Sequence, residues 1–208
     1  MALKTFVKIS SVNNLSDARY CAGMYVNLLG FSLENTSENF VSPEKYKEIT
    51  DWLSGLEYVA EFHFSHPESM LAQLQLYPGI RYIEITEEIH LGMLANTDYG
   101  LILRKQVHHL EELGELISKS ATYKENEITL LLVSDTLKLD ENTLSKIKTL
   151  AQNCQVLLGF GLEADSVEKI VELTGVKGIA LQGGVEIKPG LKDFDELADI
   201  LEVLEVED

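Results

Sequence analysis

The sequence predicts an α/β fold, a single (β/α)8 barrel spanning residues 1–208, and three observations carry that expectation. Apolar strand-like runs alternate eight times with amphipathic helical segments over the 208 residues. The strand-like runs are almost continuously apolar, as parallel strands covered on both faces must be. No long linker, low-complexity tract or shift in composition breaks the alternation. Eight such units closing on themselves give the TIM-barrel class, here at the small end of its usual size. The competing arrangement is an open doubly wound sheet. It calls for a glycine-rich nucleotide turn after the first strand, and "SSVNNLSD" (10–17) is not one.

The elements follow in order. "TFVKIS" (5–10) is the first strand, and "LSDARYCAGM" (15–24) the first helix, with Asn14 or Ser16 able to cap it. "VNLLGFS" (26–32) precedes "SPEKYKEITDWLSG" (42–55), in which Ser42 is the expected N-cap, Pro43 occupies the first turn and Gly55 ends the helix. "EYVAEFHF" (57–64) leads to "PESMLAQLQLY" (67–77), and "IRYIEIT" (80–86) to a short segment around 88–95. "YGLILRK" (99–105) leads to "VHHLEELGELISKS" (107–120), and "EITLLLVS" (127–134) to "DENTLSKIKTLAQN" (140–153). "QVLLGF" (155–160) leads to "EADSVEKIVELTG" (163–175), and "KGIALQG" (177–183) to a closing amphipathic helix, "LKDFDELADILEVLE" (191–205).

Composition narrows the partners. With 45% hydrophobic and 25% charged residues the chain suits one globular domain with a substantial core. Its 34 acidic residues against 17 basic ones give a formal charge of −17. That field repels nucleic acid and anionic membrane, but a local pocket for one small phosphorylated metabolite is compatible with it. Oligomeric state is not legible. Cys21 and Cys154 have neither metal-ligand nor disulfide spacing and are expected to be core thiols. "MALKTFVKIS" has too short an apolar run for a signal peptide, and no run approaches a membrane span, so a reducing cytoplasm is the expected compartment.

A barrel places its active site at the C-terminal ends of the strands. The residues there are Ser10 and Ser11, Ser32, His63 and His66, Thr86, Arg104, Asp135, Gly159 to Gly161, and Gly183 to Gly184. Gly159-Phe160-Gly161 and Gly183-Gly184 follow the seventh and eighth strands, the usual place of a phosphate cradle. Tight βα turns are the plainer account of the same glycines. Glu61 with His63, and Glu84 with Thr86, alternate along the third and fourth strands, so each pair shares a face. Near Lys8 and Arg104, a Glu61–His63–Glu84 group is either a replacement acid/base or metal set, or a set of lining charges that pair with one another. No metal motif such as H-E-x-x-H occurs, and neither metal nor cofactor is expected. His108-His109 reads as a rim pair at the start of the fifth helix.

"VKISSVNNLSDARYCAG", "LLGFSLENTSENFVSPEKYKEI", "LLGFGLEADSVEKIV" and "GGVEIKPGLKDFDEL" together resemble phosphoribosylanthranilate isomerase of tryptophan biosynthesis. The likeness covers the first strand through the second helix and the seventh strand to the end, about half the chain, while 57–150 matches only in the rhythm of its elements. The resemblance implies an Amadori rearrangement of an aminoaldose phosphate to an aminoketose phosphate, with a general acid at the ring oxygen and a general base at C2. The family's base is a cysteine in "K-I-C-G"; here the match is "K-I-S-S", so Ser10 stands in its place. An isolated hydroxyl does not serve as a base near neutral pH, whereas a thiol can be tuned to a thiolate. Asn39 stands where the family has the arginine that holds the anthranilate carboxylate. Glu84 and Thr86 replace a Gln and a His, and Ala180-Leu181-Gln182 lacks the family's strand-eight Asp. The general acid is matched by Asp135 if "SDT" aligns with the family's "DT", and by Val133 if no gap is allowed. The expectation is therefore a family barrel with weak or lost activity on the family substrate, or a non-catalytic binding or interaction protein on the same scaffold.

Overall fold

The computed structural model describes residues 2–183, 185–188, 191–193 and 195–206. Eight parallel strands, β1 (Phe6–Ser10), β2 (Leu28–Ser32), β3 (Glu57–Glu61), β4 (Ile80–Ile85), β5 (Gly100–Gln106), β6 (Thr129–Val133), β7 (Gln155–Leu158) and β8 (Gly178–Gln182), pair in chain order, and β8 pairs back with β1 to close the barrel. The register Phe6↔Gly178 through Ser10↔Gln182 closes the ring over the full length of β1.

Helices α1 (Leu15–Gly23), α2 (Pro43–Thr50), α3 (Pro67–Leu74), α4 (Leu91–Leu94), α5 (Leu110–Glu125), α6 (Glu141–Asn153), α7 (Val167–Thr174) and α8 (Asp195–Val203) follow the strands. Local chemistry sets their ends. Of the two candidate caps of α1, Asn14 is used: its Oδ1 accepts the Asp17 N–H at 2.9 Å. Ser42 accepts from the Lys45 N–H, with Pro43 in the first turn of α2. The N–H groups of His108 and His109 donate to the Glu112 carboxylate at the start of α5.

Two apolar layers result. Val7, Ile9, Leu29, Phe31, Ile83, Leu103, Leu130, Leu132, Val156 and Ile179 point outward into a helix-covered core, which also buries Cys21 and Cys154. Inside the barrel, Leu28, Val59, Ile102, Leu131, Val133, Leu157 and Ala180 pack together, with Phe6 and Tyr82 against them. By strand alternation Lys8 and Ser10 of β1, Glu61 of β3, Glu84 of β4 and Arg104 of β5 share this inner face.

Three sequence-based expectations are corrected. The closing helix does not begin at 191: Leu191–Asp193 is a strand, β10, antiparallel to β9 (Val185–Lys188), and α8 starts at Asp195. Val185 and Ile187 are β-branched, so the strand signal outweighed the helical period. The third strand ends at Glu61 rather than 64, which takes His63 off it. The fifth helix runs from Leu110 to Glu125 rather than over 107–120. Among the described residues no helix is long and apolar enough to cross a membrane.

Candidate functional site: a buried ion cluster beneath the barrel mouth

The inner face of β1, β3, β4 and β5 carries charge where the opposite side of the barrel carries hydrocarbon. Lys8 is fully buried. Its Nζ lies 2.5 Å from Glu61 Oε1 and 2.7 Å from Glu84 Oε2, and donates to Ser10 Oγ at 2.7 Å. Both carboxylates are 1% exposed. Arg104 Nη1 stands 3.6 Å from Glu84 Oε1 on the mouth side, with the Arg104 side chain 21% exposed. Two cations and two anions thus balance inside the barrel, as burial of charge requires. Burial alone would push the Lys8 ammonium toward neutrality, but the adjacent Glu61 and Glu84 outweigh it and raise its pKa. Burial likewise works against the Glu61 carboxylate, and Lys8, the Ser11 N–H and Arg104 together hold its pKa below the ordinary range.

Two backbone features make room for the cluster. Gly30 lies on β2 in register with Val59, and a Cβ there would fall 1.9 Å from Oε1 of Glu61, whose side chain folds back over it. A glycine inside an apolar strand is the mark of such close approach. Ser11, immediately after β1, adopts φ +55°, a left-handed conformation unusual for a non-glycine residue. In it the Ser11 N–H (3.0 Å) and hydroxyl (3.2 Å) both donate to Glu61 Oε2. The family motif has glycine at this position, and here Glu61 supplies the hydrogen bonds that hold a serine there.

The remaining sequence candidates divide. The proposed Glu61–His63–Glu84 set is not assembled. Glu61 and Glu84 meet through Lys8, whereas His63, beyond the end of β3, donates its N–H to Glu34 and sets its ring 6.2 Å from that of Phe64. Thr86 donates to the His63 carbonyl at 2.7 Å, pinning the loop after β4 to the loop after β3. His66 is exposed, its ring 5.8 Å from that of His90. Asn39 is exposed and accepts from Asn13 Nδ2 at 2.9 Å. Asp135 lies in the loop after β6, exposed, and accepts from Gln106 Nε2 at 3.0 Å. Val133 ends β6 inside the barrel and belongs to the inner apolar layer. Ser32 is buried at the end of β2, and its hydroxyl has no hydrogen-bond partner among the described residues. Those residues contain no group of three or more His, Cys, Asp or Glu arranged to hold a metal.

The glycine turns are mixed. The Gly159 N–H donates to the Leu132 carbonyl and the Gly183 N–H to the Ser10 carbonyl, so both serve the barrel. Gly161 has φ +64°, and Leu139 packs so closely that a Cβ would meet its Cγ at 2.9 Å. The Phe160 and Gly161 N–H groups donate to no other described residue, and Phe160 is buried. Gly184 lies outside the described residues.

Sequence reading missed Glu34. Its carboxylate, at the mouth after β2, accepts the N–H groups of His63, Phe64 and Ser65 and the Ser65 hydroxyl (2.6 Å), fastening the loop after β3. Burial pushes its pKa up, but these hydrogen bonds prevail and hold it low. Nothing in "SLENTS" signals that partner twenty-nine residues away.

A closed parallel barrel whose polar inner residues gather below the C-terminal ends of its strands defines a (β/α)8-barrel protein. The chain belongs to the N-(5'-phosphoribosyl)anthranilate isomerase family, whose model matches residues 7–203. It is similar to the isomerase of Aquifex aeolicus, 25% identical with 94% of this chain and 96% of that one covered. It is also similar to that of Gloeothece citriformis, 26% identical with 95% and 93% covered. The fold matches the crystal structure of phosphoribosyl anthranilate isomerase from Thermotoga maritima with a TM-score of 0.77 at 21% identity, covering 96% of this chain and 98% of that one. A structure of such an isomerase in complex with reduced 1-(o-carboxyphenylamino)-1-deoxyribulose 5-phosphate matches equally well, at TM-score 0.77 and 21% identity over the same shares. The middle of the chain, alike only in rhythm by eye, therefore falls within the family match.

Proposed function

We propose that this chain is a family barrel that takes a small phosphorylated metabolite at its mouth and has weak or no Amadori isomerase activity. The observation that carries the reading is the Lys8–Ser10 contact. The family's proton acceptor position holds a hydroxyl that already accepts from an ammonium, and that ammonium is kept charged by Glu61 and Glu84. A serine acts as a base only beside a stronger one, and Lys8 in this setting is an acid partner. Loss of a positioned base removes on the order of 10²–10⁴-fold in rate. Asn39, exposed and uncharged, offers no counter-ion for an aryl carboxylate. Support for phosphate binding comes from the Phe160 and Gly161 amides after β7, which donate to no described residue and lie where barrels hold phosphoryl groups. A phosphorylated ligand in a relative of the same fold points the same way. Asp135, on the rim, is the proposed remnant of the general acid.

Complementation tests the reading. The gene should fail to support growth of a tryptophan auxotroph lacking the isomerase, and robust growth would contradict it.

A further inference from the structure

Ser10 has one hydroxyl hydrogen, and its direction is constrained. Lys8 Nζ, 2.7 Å away, has only hydrogens to offer, so Ser10 Oγ must accept in that contact. The Ser10 hydrogen therefore points elsewhere, and no acceptor for it lies within hydrogen-bond reach among the described residues, although Ser10 is 2% exposed. A buried hydroxyl without an acceptor is unfavourable unless something else supplies one. Accepting from an ammonium also polarises the O–H, making it a stronger donor.

Arg104 shows the same surplus from across the mouth. Among the described residues its sole ion pair is the 3.6 Å approach of Nη1 to Glu84, longer than a charge-assisted hydrogen bond. The guanidinium thus keeps its N–H groups for another partner while Glu84 and, through it, Lys8 fix its position. Position 10 has changed from a place that accepts a proton to a place that donates a hydrogen bond, with a cation on the other side.

We infer that Ser10 and Arg104 form an oxyanion-binding pair, and that the ligand is a phosphorylated hydroxy acid with its carboxylate between them. This rests on the preceding reading that the mouth takes a phosphate ester. Two donors, one polarised by an ammonium and one cationic, fit an anionic oxygen better than a neutral hydroxyl, which would have to donate as well as accept.

Calorimetric titration of the purified protein with 5-phospho-D-ribonate and with D-ribitol 5-phosphate tests it. The two probes share the phosphate and the three secondary hydroxyls and differ at C1, a carboxylate in one and a CH2OH group in the other. The ribonate should bind about tenfold more tightly, the scale of one charge-assisted hydrogen bond. Ser10→Ala and Arg104→Met should each bring the two affinities together by weakening the ribonate and not the ribitol ester, while Arg104→Lys restores part of the preference. Equal affinities in the unsubstituted protein, which need no variant to fold, would overturn the oxyanion pair while leaving the phosphate-ester reading intact. A preference that survives Ser10→Ala would overturn the role of Ser10. Failure of both esters to bind would overturn the phosphate-ester reading and this inference with it.

Discussion

Lys8 Nζ and Glu61 Oε1 lie 2.5 Å apart in the interior of the barrel, neither side chain more than 1% exposed, and this ion pair organises the end of β1. From it Lys8 reaches Ser10 and Glu84, and Glu61 reaches the backbone and side chain of Ser11. Removing one partner strands the others.

Lys8→Met leaves Glu61 and Glu84 facing each other without their common cation. The expected loss of stability is about 3–5 kcal/mol. The triple substitution Lys8→Met, Glu61→Gln, Glu84→Gln should recover a large part of that loss in urea unfolding. If it is no more stable than Lys8→Met, stranded charge is not the source of the effect.

Gly30→Ala places a methyl group on Glu61 Oε1 and 3.0 Å from Lys8 Nζ, so the pair must part or the strand must shift. Overpacking of this kind costs about 1–3 kcal/mol, with disruption of the ion pair in addition. Gly23→Ala is the control. No atom lies within 4 Å of the added Cβ at the end of α1, so the change should be neutral or stabilising by a few tenths of a kcal/mol.

At Ser11 two effects oppose. Ser11→Gly relieves the left-handed conformation but loses the hydroxyl bond to Glu61, whereas Ser11→Ala loses the bond and keeps the strain. The glycine variant should therefore be more stable than the alanine variant by about 1 kcal/mol, read from unfolding midpoints. Equal midpoints would mean the backbone strain carries no weight.

The fold was legible and the interior was only half so. Periodicity marks eight strand–helix units because outward residues such as Ile9, Phe31 and Ile83 are apolar for the helices, and that signal is independent of what fills the barrel. The hairpin of β9 and β10 escaped because a short strand beside an amphipathic helix shares its apolar residues. Glu61 and Glu84 could be placed on one face by parity, but not paired through Lys8, since nothing in the sequence states the register between strands. His63 was misassigned by a strand boundary three residues too generous. The left-handed Ser11 and the Glu34 anchor depend on contacts between distant loops, which no local pattern encodes.

Two buried carboxylates contribute to the acid limb of stability. Glu61 and Glu34 both have folded pKa values below the ordinary 4.5, Glu61 through Lys8 despite its burial, and Glu34 through Ser65, Phe64 and His63 despite its own. A depressed carboxylate contributes stability that is present above its unfolded pKa and is lost as pH falls through the folded value. Lys8, raised above 10.5, contributes stability present below that value and lost as pH rises through its folded pKa. Urea midpoints should thus be flat at neutral pH and fall below about 4.5. Glu34→Gln should make the acid limb shallower; an unchanged limb would remove Glu34 from the account.

The central claim is that Ser10, engaged by Lys8, cannot abstract a proton, and turnover of phosphoribosylanthranilate by purified protein tests it most directly. Unsubstituted protein should turn over at background, and Ser10→Cys with Asn39→Arg should raise the rate on the order of tenfold or more, since base catalysis is worth about 10²–10⁴-fold when well positioned. Substantial turnover by the unsubstituted chain that Ser10→Ala abolishes would contradict it.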